Sequence, residues 1–266
     1  MSYYQIEQVE PWLYCFRDPL EDFPLNSYLL IGREKALLFD TCYGISSLKT
    51  AIGKITDKPL TVVLSHGHID HANGAFDFSS AWIHEADLEV FNTNTSLEYR
   101  RGLTKGAVEK EFPGFDPEVY LAKKCPTLHY LTRDQEFDLG GLTCEVIQMP
   151  GHTQGSVGLL VKEEKILLTS DAASNFVWLF LDESLPLTTY RETLKRTNEL
   201  DFTHFYTGHG DQKYPKSDFD KFIQVAENVN LEQAEIYTDA PGDWYEPYKY
   251  EEDGYVLVVN KRTLGL

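Results

Sequence analysis

The 266-residue sequence predicts one domain of mixed α/β class, built from layers of strands and helices. Hydrophobic residues make up 42% of the chain, which is enough for a substantial core and too many for a disordered protein. Short apolar runs of strand length alternate with segments whose apolar residues recur at helical spacing. Because neither a repeat nor a low-complexity linker interrupts this alternation, we expect residues 1–266 to form a single domain.

In the first part of the chain, the apolar pattern predicts two paired strands, a helix and a third strand. The polar residues 32–35 separate two apolar runs and indicate a hairpin turn. Leu48, Ile52 and Ile55 keep the spacing of one helix face. The predicted elements are, in order, strands at 27–31 and 36–39, a helix over 48–55 and a strand at 60–64.

The second part of the chain predicts further strands and two long helices. Residues 217–220 are a variant of the capping box, which opens a helix with Phe219, Phe222, Ile223 and Ala226 facing inward. The predicted elements are strands at 142–149, 156–161 and 165–169, a helix over 187–200, a strand at 204–207 and a helix from Ser217.

Five histidines and two aspartates stand at the ends of these predicted strands. Four of the seven form one run within 65–71, directly after the strand at 60–64, and each of the others follows an apolar segment beside glycine or a small residue. Side chains at strand ends can converge on a common cleft. The residues are His66, His68, Asp70, His71, His152, Asp171 and His209.

The spacing within the run favours two adjacent metal positions. In extended chain, His66, His68 and Asp70 project to one side, and a helix starting at Asp70 would turn His71 toward a second position. Imidazoles suit zinc and iron, and a carboxylate can bridge two cations. The alternative is that Asp70 caps the helix and the histidines bond nearby backbone groups, which the ordered spacing of the set makes the weaker interpretation.

The motif His-x-His-x-Asp-His, followed by a histidine, an aspartate and a last histidine, resembles the metallo-β-lactamase superfamily from about residue 26 to 210. The resemblance implies a four-layer αββα sandwich with two zinc ions, or iron or manganese, at one edge of two facing sheets. It implies a first metal held by His66, His68 and His152, a second held by Asp70, His71 and His209, and Asp171 bridging them.

The resemblance to the glyoxalase II-like branch implies a zinc-dependent hydrolase of a small-molecule ester, thioester or lactone. Two cations lower the pKa of a shared water from ~15.7 toward ~7, and Asp70 is the predicted catalytic residue that steers the hydroxide and takes up its proton. One alternative is a persulfide dioxygenase of the same fold, with one iron at His66, His152 and Asp171. A third is a non-catalytic metal-binding module.

Residues 91–127 lack a regular pattern, and the resemblance implies that this segment forms a lid over the metal cleft. Residues 100–124 carry six Lys/Arg against four Asp/Glu, a positive island in a chain of formal net charge −18. Arg100 and Arg101 are therefore candidates for binding an anionic substrate, and a solvated surface is the alternative. Trp178 is the third substrate-binding candidate, because its apolar run follows Asp171, although core packing is the stronger interpretation.

Charge and composition also predict partners and compartment. A net charge of −18 disfavours nucleic acid, since nucleic-acid affinity comes largely from neutralised phosphates. The first residues lack the features of a signal peptide, and no apolar run is long enough to span a membrane, so we expect a cytoplasmic protein. The four cysteines are then predicted to be reduced. A small-molecule substrate is the expected partner, and homo-oligomerisation is left open.

Overall fold

A computed structural model describes residues 2–20, 23–210, 213–239 and 245–266. These residues form three β-sheets, which we call sheets A, B and C, with helices on their outer faces. Among the helices of these ranges, none is both long and apolar enough to cross a lipid bilayer.

Sheet A has seven strands that lie side by side in the order of the chain. The first four are antiparallel and include the predicted hairpin, whereas the last four are parallel to one another. Its strands are β1 (Gln5–Glu10), β2 (Leu13–Asp18), β3 (Leu25–Ile31), β4 (Ala36–Phe39), β5 (Leu60–Val63), β6 (Ser80–Ile83) and β7 (Thr127–Tyr130).

Sheet B has six strands and contains the predicted strands of the second half of the chain. They are β8 (Glu136–Asp138), β9 (Thr143–Gln148), β10 (Val157–Val161), β11 (Ile166–Ser170), β13 (His204–Thr207) and β14 (Tyr214–Pro215). Their order is β14-β13-β11-β10-β9-β8, and β11 and β13 form its parallel pair.

Sheet C is a smaller sheet built largely from the C-terminal part of the chain. Its strands are β12 (Phe176–Leu179), β15 (Glu235–Ile236), β16 (Tyr248–Glu252) and β17 (Tyr255–Val259). The order is β12-β17-β16-β15, so that β12 lies at one edge.

Four of the eight helices within the described residues correspond to helices that the sequence predicts, and the other four were not predicted. They are α1 (Leu48–Ile52), α2 (Ile69–Ala72), α3 (Leu88–Asn94), α4 (Leu97–Glu109), α5 (Pro117–Ala122), α6 (Leu187–Asn198), α7 (Asp218–Asn228) and α8 (Lys261–Leu264). The helix predicted from Asp70 begins one residue earlier, at Ile69 with His68 as its N-cap, and it continues beyond the single turn of α2 as a 3-10 helix over Asn73–Asp77. The predicted capping box does not form, since the Ser217 side chain makes no cap hydrogen bond.

Sheets A and B face each other across a shared core, which confirms the αββα fold class. In β4, Leu37 and Phe39 point into the core between the sheets, whereas Ala36 and Leu38 point into the outer core of sheet A. This alternation is what a strand buried on both faces requires. Helices α1 to α5 lie on the side of that outer core, and α6, α7 and sheet C cover the outer face of sheet B.

The two sheets meet at the edge where the candidate ligands lie. The backbone N–H of Val157, at the start of β10, donates to Ser65 O at 2.8 Å, just after β5. The N–H of Asn26 in β3 likewise donates to Gly208 O at 2.8 Å, just after β13. These bonds join the loops of both sheets and bring the strand ends together.

Candidate metal centre

The structure brings the seven predicted side chains into two adjoining groups. Within each group, one nitrogen or carboxylate oxygen from every residue lies within 4.8 Å of the others. The first group contains His66, His68 and His152, and the second contains Asp70, His71, Asp171 and His209. Each group could hold one metal ion.

The first group consists of three imidazoles whose nitrogens face one another. His66 Nε2 lies 3.1 Å from His68 Nδ1, and His152 Nε2 lies 3.0 Å from that same atom. Ligand nitrogens around a tetrahedral zinc ion, with bonds of about 2.0–2.1 Å, are about 3.3–3.4 Å apart. Burial lowers the pKa of His66 well below its usual value and that of His152 to about 4, so both rings keep a lone pair for a cation at neutral pH.

The second group mixes imidazoles and carboxylates. Asp70 Oδ2 lies 3.3 Å from both His71 Nε2 and His209 Nε2. Asp171 Oδ2 lies 3.3 Å from His71 Nε2 and 3.5 Å from His209 Nε2. It is also 3.9 Å from His152 Nε2, so Asp171 stands between the two groups.

Charge attraction dominates this second group. Burial alone would raise the pKa of a carboxyl group, but the adjacent His71 and His209 hold the pKa values of Asp70 and Asp171 well below the usual range. Burial alone would lower the pKa of an imidazole, but the carboxylates raise that of His71 and bring that of His209 to about 10. A cation would compete with protons for these nitrogen lone pairs.

Two further observations fit a cation in the second group. Within the described residues, the buried atoms Asp171 Oδ1 and His209 Nδ1 have no hydrogen-bond partner, which is costly for a polar group. A Cβ added at Gly208 would lie 2.4 Å from Asp171 Oδ1 and 2.8 Å from a carbon of the His71 ring, so the backbone approaches the group closely. The imidazole and carboxylate donors suit zinc, iron or manganese.

Hydrogen bonds orient two rings of the first group from behind. His68 Nε2 donates to Glu183 Oε1 at 2.6 Å, and His152 Nδ1 donates to the carbonyl oxygen of Trp178 at 2.7 Å. Each bond fixes the tautomer and leaves the other nitrogen facing the group. The His68 pKa is raised because the Glu183 carboxylate outweighs the opposing effect of burial.

Asp40 is a buried carboxylate that sequence reasoning missed. Its oxygens accept hydrogen bonds from Ser65 N at 2.7 Å, from Ser65 Oγ at 2.8 Å and from Ser170 Oγ at 2.7 Å. Asp40 Oδ2 also accepts from His71 Nδ1 at 3.0 Å, while Ser65 Oγ lies 2.8 Å from His66 Nδ1. Asp40 directly follows the apolar strand β4, so the strand-end signal that identified Asp171 applied to it too.

Asp87 is a second missed carboxylate, and it joins two ligand-bearing loops. It accepts hydrogen bonds from Gly67 N at 2.8 Å, within the motif run. It also accepts from Gly155 N at 2.6 Å and Thr153 Oγ1 at 2.9 Å, in the loop that carries His152. No sequence pattern identifies Asp87, because it lies in a short 3-10 helix and its hydrogen-bond partners are distant along the chain.

The two arginines of the predicted lid have different surroundings. Arg100 is 3% exposed, its guanidinium donates to the carbonyls of Tyr120 and Lys123, and it stacks 4.2 Å from the Phe76 ring centroid. The structure therefore corrects the substrate-binding prediction for Arg100, since these contacts commit it to holding helices together. Arg101 is exposed on α4, and its proposed role is unaffected.

Segment 91–127 itself packs on the outer face of sheet A. Ala107 and Tyr120 are buried in the outer core of that sheet, and Leu103 and Phe112 pack against it. The lid function of this segment stays a prediction.

Trp178 adjoins the first group through its backbone and packs on aromatic residues through its side chain. Its carbonyl oxygen is the acceptor for His152, whereas its ring lies 5.2 Å from that of Phe180 and 6.1 Å from that of Tyr237. The ring is half-buried. The backbone contact with His152 is compatible with substrate binding near the first group, and the packing of the ring is compatible with a structural role.

Known proteins resemble this chain in sequence. The family model described as Metallo-beta-lactamase superfamily matches residues 20–209. The acyl-coenzyme A thioesterase MBLAC2 of Homo sapiens is 28% identical over 159 residues, which cover 55% of this chain and 57% of that protein. The hydroxyacylglutathione hydrolase GloC of Haemophilus influenzae is 24% identical over 155 residues, which cover 58% of this chain and 68% of that protein.

The similarity to solved structures concerns the fold. The metallo-beta-lactamase from Pontibacter korlensis superposes with a TM-score of 0.61 at 16% identity, covering 85% of this chain and 100% of that one. The chain spans a little more than half the length of the MBLAC2 relatives that it matches. Because the family model covers 20–209, and with it both groups of the candidate metal centre, the chain belongs to the metallo-β-lactamase superfamily.

Proposed function

We propose that this protein is a hydrolase with a dinuclear zinc site that cleaves a small-molecule ester, thioester or lactone. The observation that carries the proposal is the pairing of two metal-binding groups through Asp171, whose Oδ2 lies within 3.9 Å of a histidine from each. In this proposal the first group holds one cation, the second group holds another, and Asp171 is shared between them.

The proposed mechanism uses Asp70 as the catalytic residue. When bound, two divalent cations lower the pKa of a shared water and polarise the substrate carbonyl. The Asp70 side chain is 20% exposed, so it can meet water and substrate that enter from solvent. Its carboxylate orients the attacking water and accepts the proton that this water gives up.

Thioesters are the best supported substrates within this class. The two named relatives are an acyl-coenzyme A thioesterase and a hydroxyacylglutathione hydrolase, and both named substrates are thioesters. Hydrolysis of a thioester releases a thiolate. Because thiols have pKa values of about 8.5, the thiolate is a good leaving group, and no strong general acid is needed to protonate it. The proposed activity is therefore release of a thiol from a small acyl thioester.

Metal analysis combined with a substrate panel tests the proposal. The protein is purified without added metal, its metal content is measured, and thiol release is followed with acyl-coenzyme A and acylglutathione thioesters beside an ester and a lactone. We expect about two zinc ions per chain and turnover that a chelator abolishes. One iron per chain with oxygen consumption on glutathione persulfide would favour the dioxygenase, and bound metal without either activity would favour the non-catalytic metal-binding module.

A further inference from the structure

The loop between β12 and α6 supports the first metal-binding group. We call residues 180–185 of this loop the support loop. Within it, Glu183 Oε1 accepts the hydrogen bond from His68 Nε2 at 2.6 Å, and Ser184 Oγ donates to the carbonyl oxygen of His152 at 2.9 Å. The Glu183 side chain is 21% exposed, and Ser184 is buried. The position of the support loop therefore determines where the Glu183 carboxylate stands behind His68.

Two side chains from the C-terminal part of the chain bind the backbone of the support loop. Arg262 donates from one guanidinium nitrogen to the carbonyl oxygen of Ser184 at 3.0 Å, and from another to that of Leu181. Asn260 Nδ2 donates to the carbonyl oxygen of Phe180 at 2.8 Å. Three carbonyls of the support loop thus accept hydrogen bonds from these two side chains.

Glu183 lies between two sets of restraints on the backbone of the support loop. After it, the N–H of Leu185 donates to Gly151 O at 2.9 Å, next to His152 in the chain. Before it, the carbonyls of the support loop bind the two C-terminal side chains. Restraint on both sides limits the conformations open to Glu183, so less entropy is lost when its carboxylate orients His68.

Asn260 uses its two side-chain polar atoms for different contacts. Its Oδ1 accepts from the N–H of Thr263 at 3.0 Å, as the cap of α8, while its Nδ2 donates to the support loop. Both of these bonds are buried. The cap therefore fixes α8, and with it Arg262, against the support loop. Asn260 and Arg262 lie beyond residues 20–209, which the family model matches.

Resting on the metal centre of the proposed function, we propose that Arg262 and Asn260 are positioning residues for the first metal-binding group. They hold the support loop, and the support loop holds Glu183. Glu183 in turn orients the His68 ring so that its Nδ1 faces the other two imidazoles of the group. The C-terminal segment of this chain thereby sets how tightly the first group holds its cation.

NMR of the metal-free protein, labelled with nitrogen-15 in histidine, tests the positioning of Glu183 without turnover or bound metal. The proton between His68 Nε2 and Glu183 should give a downfield signal, which its loss in Glu183→Ala assigns. We expect this signal to weaken in Arg262→Ala and Asn260→Asp, because a looser support loop lets the proton exchange with water. Asn260→Asp keeps the acceptor that caps α8 but removes the donor to Phe180. An unchanged signal in both variants would overturn the proposal.

Zinc affinity of the first group, measured by competition with a chelator, tests the consequence for metal binding. We expect a loss of about 2- to 10-fold in Arg262→Ala, the change that corresponds to about one hydrogen bond, since this residue is largely exposed. Arg262→Lys keeps the charge but not the planar fork that reaches two carbonyls, so it should lose about as much. Lys261→Ala removes the charge of an exposed neighbour, and as the matched control it should keep the wild-type affinity.

A double-mutant cycle shows whether Arg262 acts through Glu183. In the Glu183→Ala background, Arg262→Ala should have little further effect on zinc affinity, because the group that it positions is gone. Additive losses in the double variant, or wild-type affinity in Arg262→Ala, would overturn the proposal and leave the proposed function intact. Failure of the wild type to bind zinc would instead contradict the proposed function, and the NMR signal of the metal-free protein would then decide between support and rejection of the positioning role.

Discussion

The two groups of the candidate metal centre differ in how their side chains are held. In the first group, His66, His68 and His152 are between 1% and 9% exposed. Hydrogen bonds from the far side orient these rings, as with the carboxylate of Glu183. In the second group, the side chain of His71 is fully buried, but those of Asp70, Asp171 and His209 are 17% to 20% exposed, against 4% and 11% for the side chains of His152 and His68.

The second group also relies on charge more than on hydrogen bonds from behind. His71 is supported by Asp40, but His209 Nδ1 has no hydrogen-bond partner among the described residues, and the ring stacks on the 48% exposed Phe23. Hydrogen bonds thus orient the first group without a cation, whereas the second group is more open to solvent. We therefore expect the first group to hold its metal more tightly.

Removing one histidine from each group should have the largest effects. His152→Ala should lose the tighter of two zinc ions and more than ~100-fold of turnover, since the site that polarises the carbonyl loses a protein ligand. His209→Ala should lose the weaker ion. Chelator titration with metal analysis should show two steps in the wild type and one in each variant. Simultaneous loss of both ions in a single step from the wild type would contradict the difference between the groups.

Changing Asp70 should separate its catalytic role from its part in holding the metal. Asp70→Asn keeps the shape of the side chain and an oxygen ligand, but it removes the group that accepts the proton from water. We expect kcat for thioester hydrolysis to fall by about 100-fold or more, while much of the zinc is retained. Near-normal kcat in this variant would show that the assigned role is wrong.

Glu183 should affect the first group through orientation of His68. Glu183→Ala removes the acceptor of the His68 Nε2 hydrogen bond, and we expect a loss of about 10- to 100-fold in zinc affinity of the tighter site, measured by competition with a chelator. Glu183→Gln keeps an acceptor oxygen and should lose less. Asp182→Ala is the matched control at an exposed neighbouring residue, and an equal loss there would indicate a general charge effect.

Substitutions of the two arginines of segment 91–127 should have the smallest effects on activity, and the two effects should differ in kind. Arg101→Ala should raise KM for an anionic substrate a few-fold and leave kcat unchanged, as expected for lost uniform binding. Arg100→Ala should instead lower the free energy of unfolding by about 1–3 kcal/mol, because it removes the buried guanidinium that donates to the carbonyls of Tyr120 and Lys123. A changed KM in Arg100→Ala with unaltered thermal stability would restore its predicted role in substrate binding.

Local sequence determined the fold class, the positions of seven strands and four helices, and the membership of the candidate metal cluster. Strands such as β4 and β13 have the predicted bounds because the period of apolar residues is a local property. The seven clustered side chains could be identified because each follows a strand within a few residues or stands in the motif run that follows one. Local pattern was a weaker guide to helix type and capping, since α2 continues as a 3-10 helix and Ser217 makes no cap hydrogen bond.

Tertiary structure alone decided which residues support those ligands and how the substrate side of the site is built. Glu183 is 115 residues from His68 along the chain, and Asp87 is 68 residues from Gly155. Arg100 became a buried packing residue only because Phe76 and Tyr120 enclose its guanidinium. The periodicity of apolar residues describes which face of one helix or strand is apolar. The contacts of Glu183, Asp87 and Arg100 depend instead on how two sheets and their covering helices pack, and that information is spread over the whole chain.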